Sequence, residues 1–204
     1  MESYGIKISS GGGRKNEADR FDKRLPAQEI EFMRIRIIAA HSGTGKSYLA
    51  KLYPEKYRDF ICMPYKYRLS ESFNTNESES CKANPDNDIN RDYPHNYIKA
   101  IKNALIKTDK TLIIPSDSMV LRLLKNENIP YLLCYPENTV EAKEEYRKRY
   151  IARGNSEDFL RIFVDNDGWE NFMNVLKMDD YGVHIVMKPS DYLSDIIEPN
   201  KEIL

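Results

Sequence analysis

The chain has 204 residues with 31 basic and 32 acidic side chains, which give it a formal net charge of −1. This length suits a single α/β domain with a sizeable core, and the balanced charge argues against a nucleic-acid-binding surface. The three widely spaced cysteines form neither a disulfide framework nor a zinc pattern, and no stretch resembles a membrane span or a signal-peptide core, so we expect a cytoplasmic protein without a membrane partner.

The first 32 residues differ in composition from the rest of the chain. They contain the run Gly11-Gly12-Gly13 and scattered charges of both signs, with little hydrophobic periodicity. Such a segment has little apolar surface to bury. We therefore predict a flexible extension or leader over residues 1–32 and one folded domain over residues 33–204.

From residue 33 onward, short apolar runs alternate with segments of helical periodicity. The apolar runs predict strands over residues 33–40, 59–63, 111–115, 131–135 and 183–187. The periodic segments predict helices over residues 46–52, 94–106, 117–126, 138–153 and 155–163. The polar stretch 70–90 predicts a loop. Nearly all-apolar strands that alternate with helices indicate a parallel sheet covered on both faces, with a ligand site at the C-terminal ends of its strands.

A phosphate-binding pattern lies between the first strand and the first helix. Residues 40–47 read Ala-His-Ser-Gly-Thr-Gly-Lys-Ser, which fits a small residue, four of any kind and then Gly-Lys-Ser. Gly43 and Gly45 allow the positive φ angles that turn backbone N–H groups toward a polyphosphate. Lys46 offers a charge to the β- and γ-phosphates, and Ser47 offers a hydroxyl to Mg²⁺.

The expected ligand of this loop is ATP with Mg²⁺. The predicted binding residues are His41, Ser42, Gly43, Thr44, Gly45, Lys46 and Ser47. We expect His41 to contribute more through its backbone than through its ring. The alternative is a glycine-rich turn before a helix, and the first position of the pattern is Ala40 rather than Gly.

A second group of candidate residues lies on the predicted helix 138–153. Arg149 and Arg153 are four residues apart and therefore share one helix face. Two guanidinium groups there suit a clamp on a transferring phosphoryl group, and Arg147 is a further candidate contact for the substrate. The alternative is a solvated face with ion pairs such as Glu145–Arg149.

Together these residues resemble the nucleoside monophosphate kinase branch of the P-loop proteins, which includes adenylate and shikimate kinases. The C-terminal half is also similar to nucleotide kinase-like P-loop proteins of phages and mobile elements, through Ile129-Pro130-Tyr131, Cys134-Tyr135-Pro136, Arg149-Tyr150, Arg153-Gly154-Asn155, Tyr181-Gly182, His184-Ile185-Val186 and Tyr192-Leu193-Ser194-Asp195. The resemblance covers residues 33–197. It implies the P-loop NTPase fold, a three-layer α/β/α sandwich with a five-stranded parallel sheet in the order 2-3-1-4-5.

The resemblance also implies a phosphoryl acceptor across the strand ends. After the second strand, Tyr65 and Tyr67 are candidates to stack on a base and Arg68 to hold a phosphate or carboxylate, with a surface turn as the alternative. Many relatives carry an acidic residue where the second or third strand ends, but the second strand predicted here ends without one. Asp117 is then the candidate for Mg²⁺ and for catalysis, although a helix cap is the favoured alternative.

The sequence thus predicts a phosphotransferase that moves the γ-phosphoryl group of Mg-ATP to a small acceptor, a nucleoside or deoxynucleoside monophosphate. Its catalytic residues would be Lys46, Arg149, Arg153 and Asp117. The alternatives are a kinase for another metabolite or for nucleic-acid ends, and a regulatory NTPase that binds ATP and hydrolyses it slowly. We expect a small-molecule partner, no nucleic-acid partner, and a monomer or homodimer.

Overall fold

The computed structural model describes residues 35–67, 89–165 and 167–197. The chain divides into two units, Met1–Met33 and Arg34–Leu204, and the described residues all belong to the second. The predictions for residues 1–32, for Arg68 and for the polar loop up to residue 88 lie outside the described residues.

The described residues form an α/β fold around one parallel sheet. Its strands are β1 (Ile37–Ala40), β2 (Tyr57–Asp59), β3 (Thr111–Pro115), β4 (Leu132–Pro136) and β5 (Val183–Met187). Their order across the sheet is β2-β3-β1-β4-β5, which confirms the predicted order. In the register of the central strand, Ile38 lies beside Ile113 on one side and Leu132 on the other.

Helices connect these strands. They are α1 (Lys46–Leu52), α2 (Met63–Lys66), α3 (His95–Lys107), α4 (Ser118–Asn126), α5 (Val140–Ala152), α6 (Glu157–Phe163), α7 (Gly168–Lys177) and α8 (Leu193–Ile196). No helix in the described part of the chain has the length and apolar character needed to cross a membrane.

The core has two parts because successive side chains of a strand point to opposite faces of the sheet. Ile37 and Ala39 of β1 join a large cluster built with α3, α4, α5 and α7. Ile38 and Ala40 join a smaller cluster that includes Leu49 of α1, Leu193 of α8 and other apolar side chains. Helices therefore cover both faces, which is why the strands could be recognised as apolar runs.

The predicted second strand over residues 59–63 is wrong. The strand is β2, which ends at Asp59, and residues 63–66 form α2 instead. Phe60 is buried as expected, and its amide still donates to the carbonyl of Ile113 on β3 at 2.8 Å, but its ring stacks on Tyr97 of α3, with 5.6 Å between ring centroids. Pro64 lies in the first turn of α2, where its missing N–H costs nothing. As a result the second strand ends in a carboxylate.

The other predicted strands and helices match within about four residues, and α1, β3 and β5 match in full. Helices α7 and α8 had no predicted counterpart. Helix α5 begins two residues later than predicted. Its cap is Thr139, whose hydroxyl accepts a hydrogen bond from the amide of Ala142 at 3.2 Å.

Candidate anion-binding site

The predicted phosphate loop, residues 40–47, connects β1 to α1 at the C-terminal end of the central strand. We call it the glycine loop. Gly43 and Gly45 have φ angles of 82° and 89°, in the left-handed region that favours glycine. A Cβ atom at Gly43 would lie 3.0 Å from the ring of Tyr150, and one at Gly45 would lie 3.1 Å from the ring of Tyr192. Both positions therefore require glycine for conformation and for space.

The carbonyl oxygens of residues 40–44 all accept hydrogen bonds from the protein. The donors are Ser116 N to Ala40 (3.2 Å), Lys46 Nζ to Ala40 and His41 (3.0 and 2.8 Å), Thr44 Oγ1 to His41 (2.8 Å), Tyr150 Oη to Ser42 (3.0 Å), Arg149 Nη1 to Gly43 (3.3 Å) and Leu193 N to Thr44 (2.9 Å). The protein thus holds the loop through the loop's carbonyl oxygens.

The amide N–H groups of residues 42–47 have no such partners. Across the described ranges of the chain, no hydrogen bond uses them as donors. In a trans peptide the N–H and C=O bonds point in opposite directions. Because the protein donors bind the loop carbonyls, the loop amides point away from those donors. Successive N–H groups in a loop with left-handed residues form an anion-binding concavity. The arrangement fits a phosphate group.

Lys46 provides the positive charge of the loop. Its ammonium group bonds the carbonyls of Ala40 and His41. Burial is the main cause that lowers the pKa of Lys46, the carboxylate of Asp59 raises it and the charge of Arg153 lowers it, and the net result is a pKa of about 8. An incoming anion would supply the missing counter-charge and hold the ammonium form.

Ser47 and Asp59 form a pair that sequence reasoning missed. The hydroxyl of Ser47 donates a hydrogen bond to Oδ2 of Asp59 at 2.5 Å. Asp59 ends β2, and a carboxylate at that place is what the second strand was expected to lack. The apolar run that follows Asp59 hid it, because that run placed the predicted end of the strand at residue 63, four residues beyond the observed end.

The same pair could hold Mg²⁺. A hydroxyl and a carboxylate oxygen are ligands that Mg²⁺ accepts, together with waters and phosphate oxygens. No group of three or more histidine, cysteine or acidic side chains suited to a metal occurs within the described residues. The described residues therefore provide no metal site made of protein ligands alone. A metal at Ser47 and Asp59 would also need a phosphate ligand. A cleft of about 780 Å³ opens beside the pair.

Asp117 occupies its alternative role as a helix cap. Its Oδ1 accepts hydrogen bonds from the amides of Met119 (3.0 Å) and Val120 (3.4 Å). Its Oδ2 accepts from Nζ of Lys66 at 3.2 Å and from the hydroxyl of Tyr93 at 2.9 Å. Both oxygens are engaged and neither bonds Ser47, so the geometry favours Asp59 over Asp117 as the metal contact.

Arg149 is buried, in contrast to its expected place in a mobile clamp. Only 8% of the residue is exposed, and the guanidinium lies between the rings of Tyr146 and Tyr192 at 4.7 and 4.0 Å from their centroids. Nη1 donates to the carbonyls of Gly43 and Asp191, Nη2 to that of Pro189, and Nε to Glu145. Donors so engaged are not free for a phosphate, which favours a positioning role over a catalytic one.

Arg153 differs from Arg149 although they share a helix. Arg153 is exposed at the end of α5, and its guanidinium lies 5.8 Å from the ring centroid of Tyr150. Within the described part of the chain its guanidinium makes no hydrogen bond or ion pair, and its charge lowers the pKa of Lys46. Its role toward a phosphate stays a prediction. Arg147 instead pairs with Asp165 and lies 3.9 Å from Glu144.

Of the predicted acceptor contacts, Tyr65 belongs to the aromatic packing. Its ring lies 5.9 Å from Phe60 and 5.2 Å from Tyr97, centroid to centroid. Tyr67 makes an isolated antiparallel bridge with Ile89. The packing of Tyr65 leaves its ring no obvious role in stacking on a base. The bridge of Tyr67 involves its backbone, so its ring stays a predicted contact for a base.

The ring of His41 has more contacts than expected. It lies 6.1–6.4 Å, between ring centroids, from four aromatic side chains of α5, α6 and α7: Tyr146, Phe163, Trp169 and Phe172. Burial, together with the charge of Lys46, lowers the pKa of His41 to about 3, so the ring is neutral at pH 7. These contacts were not predicted from the sequence, because the four aromatic residues lie more than 100 positions away from His41.

No known protein-family model matches this chain, and no curated protein matches it at a significant level. A functional assignment therefore depends on the loop, on the pair Ser47–Asp59 and on the sheet order.

Proposed function

We propose that the glycine loop binds the triphosphate of ATP and that the domain is a P-loop NTPase sandwich. The observation that carries this proposal is the contrast within the loop, where the carbonyls of residues 40–44 are all held by the protein and the amides of residues 42–47 all lack a described partner. Lys46 adds the charge that a polyphosphate requires.

The proposed metal is Mg²⁺, held by Ser47 and an outer contact to Asp59. Bound there, it would neutralise charge on the β- and γ-phosphates. Asp59 already orients the Ser47 hydroxyl, with 2.5 Å between the two oxygens. Only a local rotation of this hydroxyl would be needed for it to face a cation instead. Arg153 would approach the same phosphates from the end of α5.

The proposed reaction transfers the γ-phosphoryl group to a nucleoside or deoxynucleoside monophosphate. The bond between the γ-phosphorus and the β–γ bridging oxygen breaks, and a bond from that phosphorus to an acceptor phosphate oxygen forms. A phosphate acceptor needs no strong general base, which agrees with the engagement of Asp117 by its helix cap, Lys66 and Tyr93.

The second candidate is an ATP-binding regulator with slow hydrolysis. It is favoured by Arg149, whose guanidinium is occupied by three backbone carbonyls and Glu145. One arginine rather than two would then face the transferring group, and an arginine at that place often accounts for much of the rate.

The deciding experiment measures Mg-ATP binding by calorimetry and ADP release with each common nucleoside and deoxynucleoside monophosphate. The control is Lys46→Ala, which removes the loop charge. The kinase proposal expects one acceptor to stimulate ADP release far above the control. Tight ATP binding without stimulation by any acceptor would favour the regulator, and no ATP binding would overturn both.

A further inference from the structure

Helix α5 forms hydrogen bonds with the glycine loop through two consecutive side chains. The Tyr150 hydroxyl donates to the carbonyl of Ser42 at 3.0 Å, and Arg149 Nη1 donates to the carbonyl of Gly43 at 3.3 Å. Tyr150 is fully buried and Arg149 nearly so. The central peptides of the loop are thus held by a helix more than 100 positions away along the chain.

The Tyr150 hydroxyl has a defined role in this contact. A carbonyl only accepts, so the hydroxyl proton must point to Ser42. The hydroxyl oxygen lies 3.1 Å from Nε2 of His41 and therefore accepts the Nε2–H of the neutral ring. One hydroxyl in this way fixes the backbone of Ser42 and the ring of His41 together.

Arg149 extends the same support to the segment after β5. Its guanidinium joins the carbonyl of Gly43 to those of Pro189 and Asp191, at 3.0 Å or less for the last two. In that segment the amide of Leu193 holds the carbonyl of Thr44 at 2.9 Å. Three successive loop carbonyls, 42 to 44, therefore depend on α5 or on a segment tied to α5.

We propose that Tyr150 and Arg149 are positioning residues that keep the glycine loop in its anion-binding form before any ligand arrives. The proposal rests on the proposed nucleotide binding. A loop with two glycines has many accessible conformations, and ordering them on binding would cost affinity. Holding the carbonyls in advance removes this cost and leaves the amides available.

Tyr146 provides the control that distinguishes this positioning role from packing of the ring. It lies one turn before Tyr150 on α5, is equally buried, and its ring would approach a Cβ at Gly43 to 3.2 Å. Its hydroxyl, however, has no hydrogen-bond partner among the described residues. Tyr146→Phe thus removes a hydroxyl that holds nothing, while Tyr150→Phe removes one that holds the loop, and both keep their rings.

The test uses the full chain and compares wild type, Tyr150→Phe, Tyr146→Phe and Arg149→Lys. Calorimetry measures the dissociation constants of Mg-ATP and of magnesium tripolyphosphate, and thermal unfolding measures the ligand-free midpoint. We expect both probes to bind about tenfold more weakly to Tyr150→Phe, the size of one lost hydrogen bond. Arg149→Lys should weaken both probes as well, because an ammonium cannot replace the planar fork of donors. Tyr146→Phe should bind as wild type does.

The two probes locate the effect on the ligand, and the unfolding midpoint separates positioning from general stability. Tripolyphosphate has no base or ribose, so an equal loss for both probes locates the effect at the phosphates. A lower midpoint for Tyr150→Phe with unchanged affinities would overturn the inference alone, as would an equal loss in Tyr146→Phe. Failure of wild type to bind Mg-ATP would instead overturn the proposed function, and the inference with it.

Discussion

The glycine loop has a buried flank and a polar flank, and they are held in different ways. Toward α5 the contacts are buried and specific, with Tyr150 and Arg149 bonded to loop carbonyls. Toward the ends of β2 and β3 the groups are polar and partly exposed, with Ser47 on Asp59 and Lys66 on Asp117. The difference indicates that the flank toward α5 holds the shape of the loop, while the other flank is where the proposed metal and acceptor would approach.

The largest effect is expected from a substitution inside the loop. Gly43→Ala places a side chain at a φ of 82°, a strain of about 1–2 kcal/mol, and brings its Cβ to 3.0 Å from the Tyr150 ring. We expect Mg-ATP affinity to fall about a hundredfold. The loop must leave its anion-binding form to relieve the backbone strain and the close contact with Tyr150. Calorimetry measures this change.

Gly154→Ala is the matched control for Gly43→Ala. Gly154 also has a positive φ, 72°, but a Cβ there would meet nothing within 4 Å. We expect a loss of about 1 kcal/mol in the free energy of unfolding with unchanged affinity for Mg-ATP. Equal affinities for both variants would show that the buried flank does not set the loop.

A smaller effect is expected on the polar flank, where Asp59 and Asp117 give a direct comparison. Asp59→Asn should lower turnover, or ATP hydrolysis, about tenfold and raise the Mg²⁺ concentration required, because the Ser47 hydroxyl loses its charged partner. Asp117→Asn should change little, since asparagine caps helices about as well as aspartate.

Magnesium titrations of the two variants measure this difference. If Asp117→Asn were the more damaging change, the metal contact would have to be assigned to Asp117, after the end of β3. That result would also favour an acceptor hydroxyl, which needs a base, over an acceptor phosphate.

The last test concerns pH and asks whether the ring of His41 is buried as a neutral group. Its pKa falls from 6.5 to about 3 on folding, so between these values the unfolded chain binds more protons. Stability is therefore complete above about pH 6.5 and declines as the pH falls toward 3, by up to about 1.4 kcal/mol per pH unit. Denaturant unfolding at pH 7.5 and 5.5 measures the decline.

Two controls assign the pH effect to His41. His41→Gln should reduce the slope, whereas His95→Gln, on the exposed first turn of α3, should keep it. Nuclear magnetic resonance provides a direct check in the unmodified protein. A His41 ring that titrates near pH 6.5 would contradict the buried flank described above.

Much of the fold could be predicted from local patterns. The runs at Thr111–Pro115 and Val183–Met187 were located in full, because buried parallel strands are continuous apolar segments. The edge strand Tyr57–Asp59 was misplaced, because an edge strand carries charged side chains and the stronger apolar run beside it packs on a helix. The glycine loop was located from its spacing alone, with positive φ at the two predicted glycines.

The sequence by itself determined where the glycine loop lies and which strands form the sheet, since turn chemistry and hydrophobic periodicity act over a few residues. Only the tertiary structure decided what holds the loop. Arg149 reaches Gly43 across 106 positions, Tyr150 reaches Ser42 across 108, and Asp59 reaches Ser47 from a different strand. Such partners depend on how distant segments pack, and an arginine on a helix face has the same sequence pattern whether its donors meet carbonyls or solvent.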